Sequence, residues 1–190
     1  MIRRIINFSE FVNESKKLSG RFNDDEIEIL ALLMHDKGHV LGRAPVHIQD
    51  PMLDSVFDKV KSDRFVYPLW RGIYNEEKQM YDDLYTSQNT LTTSRYISFS
   101  ESKDLASSFT KNTKILLELI DSKGLLNYHQ FLREVMAQIE LEVNGEDSYE
   151  HIIHMADKEL EHIMNIGTMI QVIDKRQEGD LTIYTIKQVN

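Results

Sequence analysis

Three short segments combine strand-forming residues with polar side chains that are costly to bury unless they have a task. In Leu69-Trp70-Arg71-Gly72, a guanidinium inside an apolar run offers a forked donor for phosphate, and the glycine beside it lets the backbone approach a ligand closely. The alternative is an arginine paired with a carboxylate on a sheet face. In Ile97-Ser98-Phe99-Ser100, strand alternation sends both hydroxyls to one face and Ile97 and Phe99 to the core. Leu105-Ala106-Ser107-Ser108-Phe109 follows it, and the plain reading there is a strand ending in a helix cap, with Ala106 and Phe109 packed inward.

The third segment runs from Lys158 to Thr168 and contains Glu159-Leu160-Glu161. If it begins a strand, the two glutamates share a face, roughly 6 to 7 Å apart by strand rise. Paired carboxylates on one face suit the stabilisation of positive charge: their proximity, with desolvation, would raise at least one carboxyl's pKa, whereas a cationic neighbour would lower it. If the segment is helical instead, both belong to a solvated face. His151, His154, Glu161 and His162 also fall in one window, but no His-Glu-x-x-His helix is present and the spacing matches no zinc motif. The expectation is partly exposed histidines on a helix ahead of a strand, and no metal.

The elements that must position these residues read as follows. Phe8 to Leu18 has apolar residues at helical spacing, and Asn23-Asp24-Asp25 opens a second helix with Ile27, Leu30, Ala31 and Met34 in a stripe. His35 to Gln49 reads as a loop, and Asp50-Pro51 caps a third helix carrying Leu53, Val56, Phe57 and Val60. From Phe65 the character changes. Phe65 to Ile73 is strand-like, with Pro68 forcing an edge, a bulge or the strand's beginning. Asn75 to Tyr85 reads as a short polar helix, Arg95 to Ser100 as a strand, and Ser100 as the cap of a helix through Phe109. Thr113 to Ile120 is a further strand closed by Asp121-Ser122-Lys123-Gly124. A helix from Tyr128 to Leu141, a polar loop over 144–148, and strands Thr168 to Lys175 and Leu181 to Val189 around Gln177-Glu178-Gly179-Asp180 complete the chain.

Helices first and strands later give an α+β fold rather than an alternating plan. The expected division is a helical region over 1–62 and a core over 63–190, within one compact domain. The 190 residues carry 22 Lys plus Arg against 31 Asp plus Glu, a net charge of −9. That balance argues against stable DNA binding, which needs a basic surface. The absence of cysteine rules out disulfides, thiolate metal sites and a cysteine nucleophile. No apolar run approaches the roughly 20 residues that span a bilayer, so a soluble intracellular protein is expected.

Arg71-Gly72, Ser98-Phe99-Ser100 and Glu159-Leu160-Glu161, in that order and each in a strand context, resemble the arginine, serine-x-serine and glutamate-x-glutamate pattern of ADP-ribosyltransferases. Pro68 to Gly72, with Gly167 six residues after Glu161, is similar in particular to the small ADP-ribosyltransferases of tailed bacteriophages. Phe99 stands where many relatives carry a small residue or threonine, Asn165 where the phage relatives usually have proline, and His162 where they often have an aliphatic residue.

The resemblance implies an ADP-ribosyltransferase fold, with N-terminal helices against a mixed, split β-sheet whose cleft binds NAD as substrate. It implies that Glu161 stabilises the ribose cation and that Glu159 orients or deprotonates the acceptor. It further implies that Arg71 holds a phosphate or the adenine-side ribose, that Gly72 presents its backbone to the nicotinamide amide, that Ser98 positions Glu161 and the ribose, and that Ser100 supports them; Phe109 is expected to pack. The paired glutamates imply arginine of a host protein as acceptor, in the transcription or translation machinery and in the host bacterial cytoplasm, with an RNA end as the other acceptor left open. The rival expectations are a non-enzymatic or capsid-associated phage protein, whose N-terminal segment would direct packaging into the virion, and a metal-dependent hydrolase.

Overall fold

The computed structural model describes residues 22–23, 25–26, 51–60, 68–110, 113–140, 154 and 158–189. The expected helix over 8–18, most of the second helix, the loop over 35–49, the stretch 65–67, the loop over 144–148 and His151 lie outside the described residues. Of the second helix, its start is present: Asn23 Oδ1 accepts from the Glu26 amide and Glu26 Oε2 from the Asn23 amide, both at 2.9 Å. This reciprocal cap satisfies two donors that a helix start otherwise leaves unpaired.

Helix α1 (Pro51–Val60) buries Leu53, Val56 and Phe57, the one-sided pattern of an amphipathic helix. Strand β1 (Leu69–Gly72) begins immediately after Pro68, where the missing amide donor costs no ladder bond. Helix α2 (Asn75–Ser87) starts with the Tyr74 amide donating to Glu77 Oε2 at 3.1 Å, and ends at Gln88, whose φ of 57° stops helical propagation. Strands β2 (Thr90–Thr92) and β3 (Ile97–Ser100) follow. Helix α3 (Lys103–Phe109) is capped by Ser102, whose Oγ accepts from the Leu105 amide at 3.2 Å. Sequence reading assigns that cap to Ser100; the structure moves it two residues on, because Ser100 is engaged elsewhere. Then come β4 (Ile115–Ile120), β5 (Leu126–Asn127), α4 (Tyr128–Glu140), β6 (Glu161–Met164), β7 (Met169–Glu178) and β8 (Leu181–Gln188).

The strands form one mixed sheet in the order β2-β7-β8-β4-β1-β3-β6-β5, in which β4 and β8 are parallel and all other neighbours antiparallel. β1 pairs with β4 from Leu69↔Leu119 to Gly72↔Leu116, but with β3 through Trp70↔Ser100 alone. The sheet is therefore split at one point, as expected, and the strands diverge from it. The short β2 and β5 are elements the sequence does not signal. On one face Leu69, Ile73, Phe99, Leu117, Val172 and Tyr184 are buried in a common core with Tyr81 of α2. On the other, Trp70, Leu116 and Ile183 pack with Ala106 of α3. Among the described residues no helix is long and apolar enough to cross a membrane.

α3 lies against β1 so closely that only glycine fits at position 72. A Cβ there would stand 2.6 Å from the Ala106 carbonyl oxygen and 3.0 Å from the Thr110 nitrogen, both backbone atoms. Farther along, Arg176 grips Glu118 through two nitrogens at 2.6 and 3.0 Å and donates to Thr185 Oγ1 at 2.7 Å, tying β7, β4 and β8 together. Burial pushes the Glu118 carboxyl up, but the bonds from Arg176 and Thr185 outweigh it and hold the pKa below its ordinary value. Lys175 and the Tyr184 hydroxyl hold Asp82 well below the carboxylate range, which fastens α2 to β7 and β8.

Two outcomes are expected. Gly72→Ala destabilises by about 1 to 3 kcal/mol through overpacking, read by urea unfolding; a change below about 0.5 kcal/mol would show that α3 yields freely. Because Glu118 and Asp82 are depressed in the folded state, their stabilisation is complete above the ordinary values of 4.5 and 3.8 and is lost as pH falls below them. Denaturation midpoints measured from pH 7 to 3 should fall on the acid side, and less steeply in Glu118→Gln.

Candidate active site

The divergence of β1 and β3 opens a cleft of about 470 Å³ whose walls include Arg71, Gly72, Ser98, Ser100, Glu159 and Glu161. All six residues singled out by the sequence thus meet at one site, which is within the size range of small-molecule pockets. Their positions follow from pairing. The β3–β6 ladder sets Ser100 opposite Glu161 and Phe99 opposite His162, so the hydroxyls and Glu161 face the cleft while Phe99 and His162 face away.

Ser98 Oγ donates to Glu161 Oε1, fixing a carboxylate that is 8% exposed. Ser100 Oγ donates to the Glu159 carbonyl at 2.6 Å and accepts from the Ser102 amide at 3.0 Å. It joins the chain before β6 to the capped start of α3. Tyr128 lies behind the acids: burial, with the Glu161 and Glu159 charges adding to it, pushes its phenol above the ordinary range. It stays a neutral hydroxyl at working pH.

The acidic pair is built differently from the strand expectation. β6 begins at Glu161, Glu159 ends a helical turn, and Leu160 between them has φ 42°. A left-handed conformation costs a residue with a Cβ roughly 1 to 2 kcal/mol, and it turns both carboxylates into the same cleft from two different elements. Neither the all-strand nor the all-helix reading of this segment holds.

Arg71 joins the halves of the split. Its Nη1 donates to the Ser98 carbonyl at 3.4 Å, and its Nη2 lies 3.8 Å from Glu77 Oε1. Both readings of this arginine therefore apply, since it lines the cleft and faces a carboxylate. Its Nε is buried and has no hydrogen-bond partner among the described residues. Glu77 also accepts from Arg95, so one carboxylate orients two guanidinium groups at the cleft wall. Neither Glu77 nor Arg95 is legible in the sequence, because a first-turn helical acid and an arginine ahead of a strand are ordinary features.

Phe109 departs from expectation: it is 52% exposed and lines the cleft with Tyr74, which is 37% exposed. Ala106 alone fills the inward position, and the short α3 ends too soon to turn Phe109 beneath it. Of the histidines, His154 is helical and exposed, in line with expectation, whereas His162 departs from it: it is fully buried on the far face of β6 beside Glu101 and His129. His162 is a strand residue, not a helical one, and alternation buries it.

The backbone is similar to those of several solved proteins. Exoenzyme S from Pseudomonas aeruginosa, in complex with human 14-3-3 protein beta and bound to carba-NAD, is 13% identical, with a TM-score of 0.57 over 95% of this chain and 84% of that one. The C3 exoenzyme of Clostridium limosum is 12% identical, with a TM-score of 0.54 over 95% of this chain and 93% of that one. ADP-ribosyltransferase Vis, in complex with agmatine, is 13% identical, with a TM-score of 0.53 over 96% of this chain and 82% of that one. At such identities the likeness shows the fold, an α+β ADP-ribosyltransferase fold. No curated protein sequence matches the chain significantly. The sequence itself, over residues 9–190, matches the family described as bacteriophage T4 Mod ADP-ribosyltransferase, and with the match spanning nearly its whole length, the chain belongs to that family.

Proposed function

We propose that this protein is a mono-ADP-ribosyltransferase that moves ADP-ribose from NAD to an arginine of a host protein in the bacterial cytoplasm. The observation that carries the reading is the Ser98–Glu161 hydrogen bond at the floor of a cleft also lined by Arg71 and Glu159. Exoenzyme S binding carba-NAD in the same fold supports NAD as the substrate.

The chemistry follows from the residue types. The glycosidic bond from the ribose C1′ to the nicotinamide nitrogen breaks, its electron pair leaves with nicotinamide, and positive charge builds on the ribose. A carboxylate held beside that carbon stabilises the charge without reorganising. Glu161 takes this role, with Ser98 fixing its position. The lone pair of the acceptor nitrogen then forms the new bond to C1′, and Glu159 receives the proton that the nitrogen sheds. Arg71, a guanidinium lining the cleft, is assigned to the diphosphate. Gly72 serves the site by letting α3 and the backbone come close, and its amide edge is assigned to the nicotinamide amide. Ser100 holds the segment that carries Glu159.

Arginine is the assigned acceptor because a guanidinium is cationic and planar, and Glu159, in a half-buried position at the cleft, offers a carboxylate to pair with it and to accept its proton. Agmatine in complex with Vis is a guanidine of the same kind and supports the choice.

Three outcomes are expected with labelled NAD and bacterial lysate. Glu161→Gln lowers both nicotinamide release and protein labelling by about 100-fold or more; labelling at the wild-type rate would remove Glu161 from the chemistry. Glu159→Gln keeps nicotinamide release within about threefold but loses transfer to protein, a split that a purely structural role would not give. Label carried by the wild type is released by neutral hydroxylamine and by protease but not by ribonuclease; the reverse pattern would make an RNA end the acceptor and overturn the arginine assignment.

A further inference from the structure

Behind the cleft, on the opposite face of the strands that carry Ser100 and Glu161, three potential ligands converge. Glu101 follows β3, His129 lies in the first turn of α4, and His162 is on β6. His162 Nε2 and Glu101 Oε1 are 2.8 Å apart. The rings of His129 and His162 meet edge-on at 5.3 Å and 84°. One donor atom from each of the three lies within 4.8 Å of the others. We propose that Glu101, His129 and His162 form a binding site for a divalent first-row transition ion, with Zn²⁺ as the fitting occupant.

Pairing explains the convergence. Phe99 opposes His162 across β3–β6, and Glu101, two residues beyond Phe99, returns to the same face; its amide donates to the Leu160 carbonyl at 3.2 Å. On the other side of β6, Asn127 opposes His162, which brings His129 over the same point as the chain turns into α4. The three ligands therefore come from separated stretches of sequence, and the His151-His154 spacing gives no hint of them.

The donor set selects the ion. Two imidazole nitrogens and one carboxylate suit zinc and its neighbours, whereas Mg²⁺ and Ca²⁺ favour oxygen cages. Tetrahedral zinc with bonds near 2.0 to 2.1 Å needs donors about 3.3 Å apart, a spacing that the present separations bracket and small side-chain rotations reach. The His162 side chain is fully buried while that of Glu101 is 40% exposed, so the site is anchored at one end and open to ion and water at the other. The ion would replace the hydrogen bond between His162 and Glu101 and clamp β3, β6 and α4 together. This role is independent of the chemistry in the cleft.

The test uses the full chain, stripped with a chelator and titrated with Co²⁺ while visible absorption is followed, then with Zn²⁺. The expected result is one tight equivalent of Co²⁺ with ligand-field bands, displaced by Zn²⁺, a higher melting temperature with Zn²⁺, and no such rise with Mg²⁺. Glu101→Ala and His129→Gln, both checked for native circular dichroism, should each weaken binding by about tenfold or more, while His154→Gln, at an exposed position, should not. Absence of saturable binding overturns the proposal, as does tight binding retained in both Glu101→Ala and His129→Gln. If His162→Gln fails to fold, these two variants still decide the matter.

Discussion

Ser100 faces Glu161 and Phe99 faces His162 across the β3–β6 ladder, and the division of the molecule into a polar cleft and a closed far side depends on that register. A slip by one residue would turn every side chain of β6 to the other face, carrying Glu161 away from Ser98 and His162 into the cleft. Apolar residues guard against it. Met164 lies in the main core with Ile97 and Phe99, so a slipped β6 would withdraw it from them at a cost of about 1.5 to 3 kcal/mol. The Ser98–Glu161 bond is a product of this register more than its cause, because a single hydrogen bond contributes only about 1 kcal/mol net.

The split beside β3 has a similar origin in pairing. β1 is held along its whole length by β4 and touches β3 at one pair, so its far end parts from β3 while staying paired with β4. Where it parts, α3 comes down on Gly72, and the Ser102 cap that begins α3 is bonded to Ser100. One serine thus links the strand, the helix that roofs β1 and, through the Glu159 carbonyl, the segment delivering the acids. The cleft is shaped by backbone contacts of this kind, and its side chains inherit their positions from them.

Much of this is legible in the sequence because it rests on local periodicity. Alternation in Ile97 to Ser100 assigns faces correctly, helical spacing finds α1 and α4, and Gly179-Asp180 marks the final hairpin. The order of the three motifs carries the family. What escapes is set by tertiary approach. Ser102 caps α3 because Ser100 is occupied by a carbonyl 59 residues away. Leu160 adopts φ 42° because a helical turn must pass directly into a strand, and no propensity announces that at leucine. Phe109 stays half-exposed because α3 stops after seven residues, and a two-residue strand such as β5 has too little sequence to show a period.

The acidity of the chain also requires a local explanation. A protein of net charge −9 would repel an anionic dinucleotide if its charges acted together, but at physiological ionic strength interactions between exposed charges fade beyond about 8 Å. Within that distance Glu77 faces both Arg71 and Arg95 at the cleft wall. Glu77 keeps the two cations close to one another where their repulsion alone would separate them, and so places two forked donors side by side at that point. The opposite character belongs to Glu159 and Glu161, where a cation is to be stabilised. An anionic diphosphate and a cationic ribose lie close together in one substrate, and a cleft whose charges are arranged residue by residue meets both needs that an overall positive surface could not.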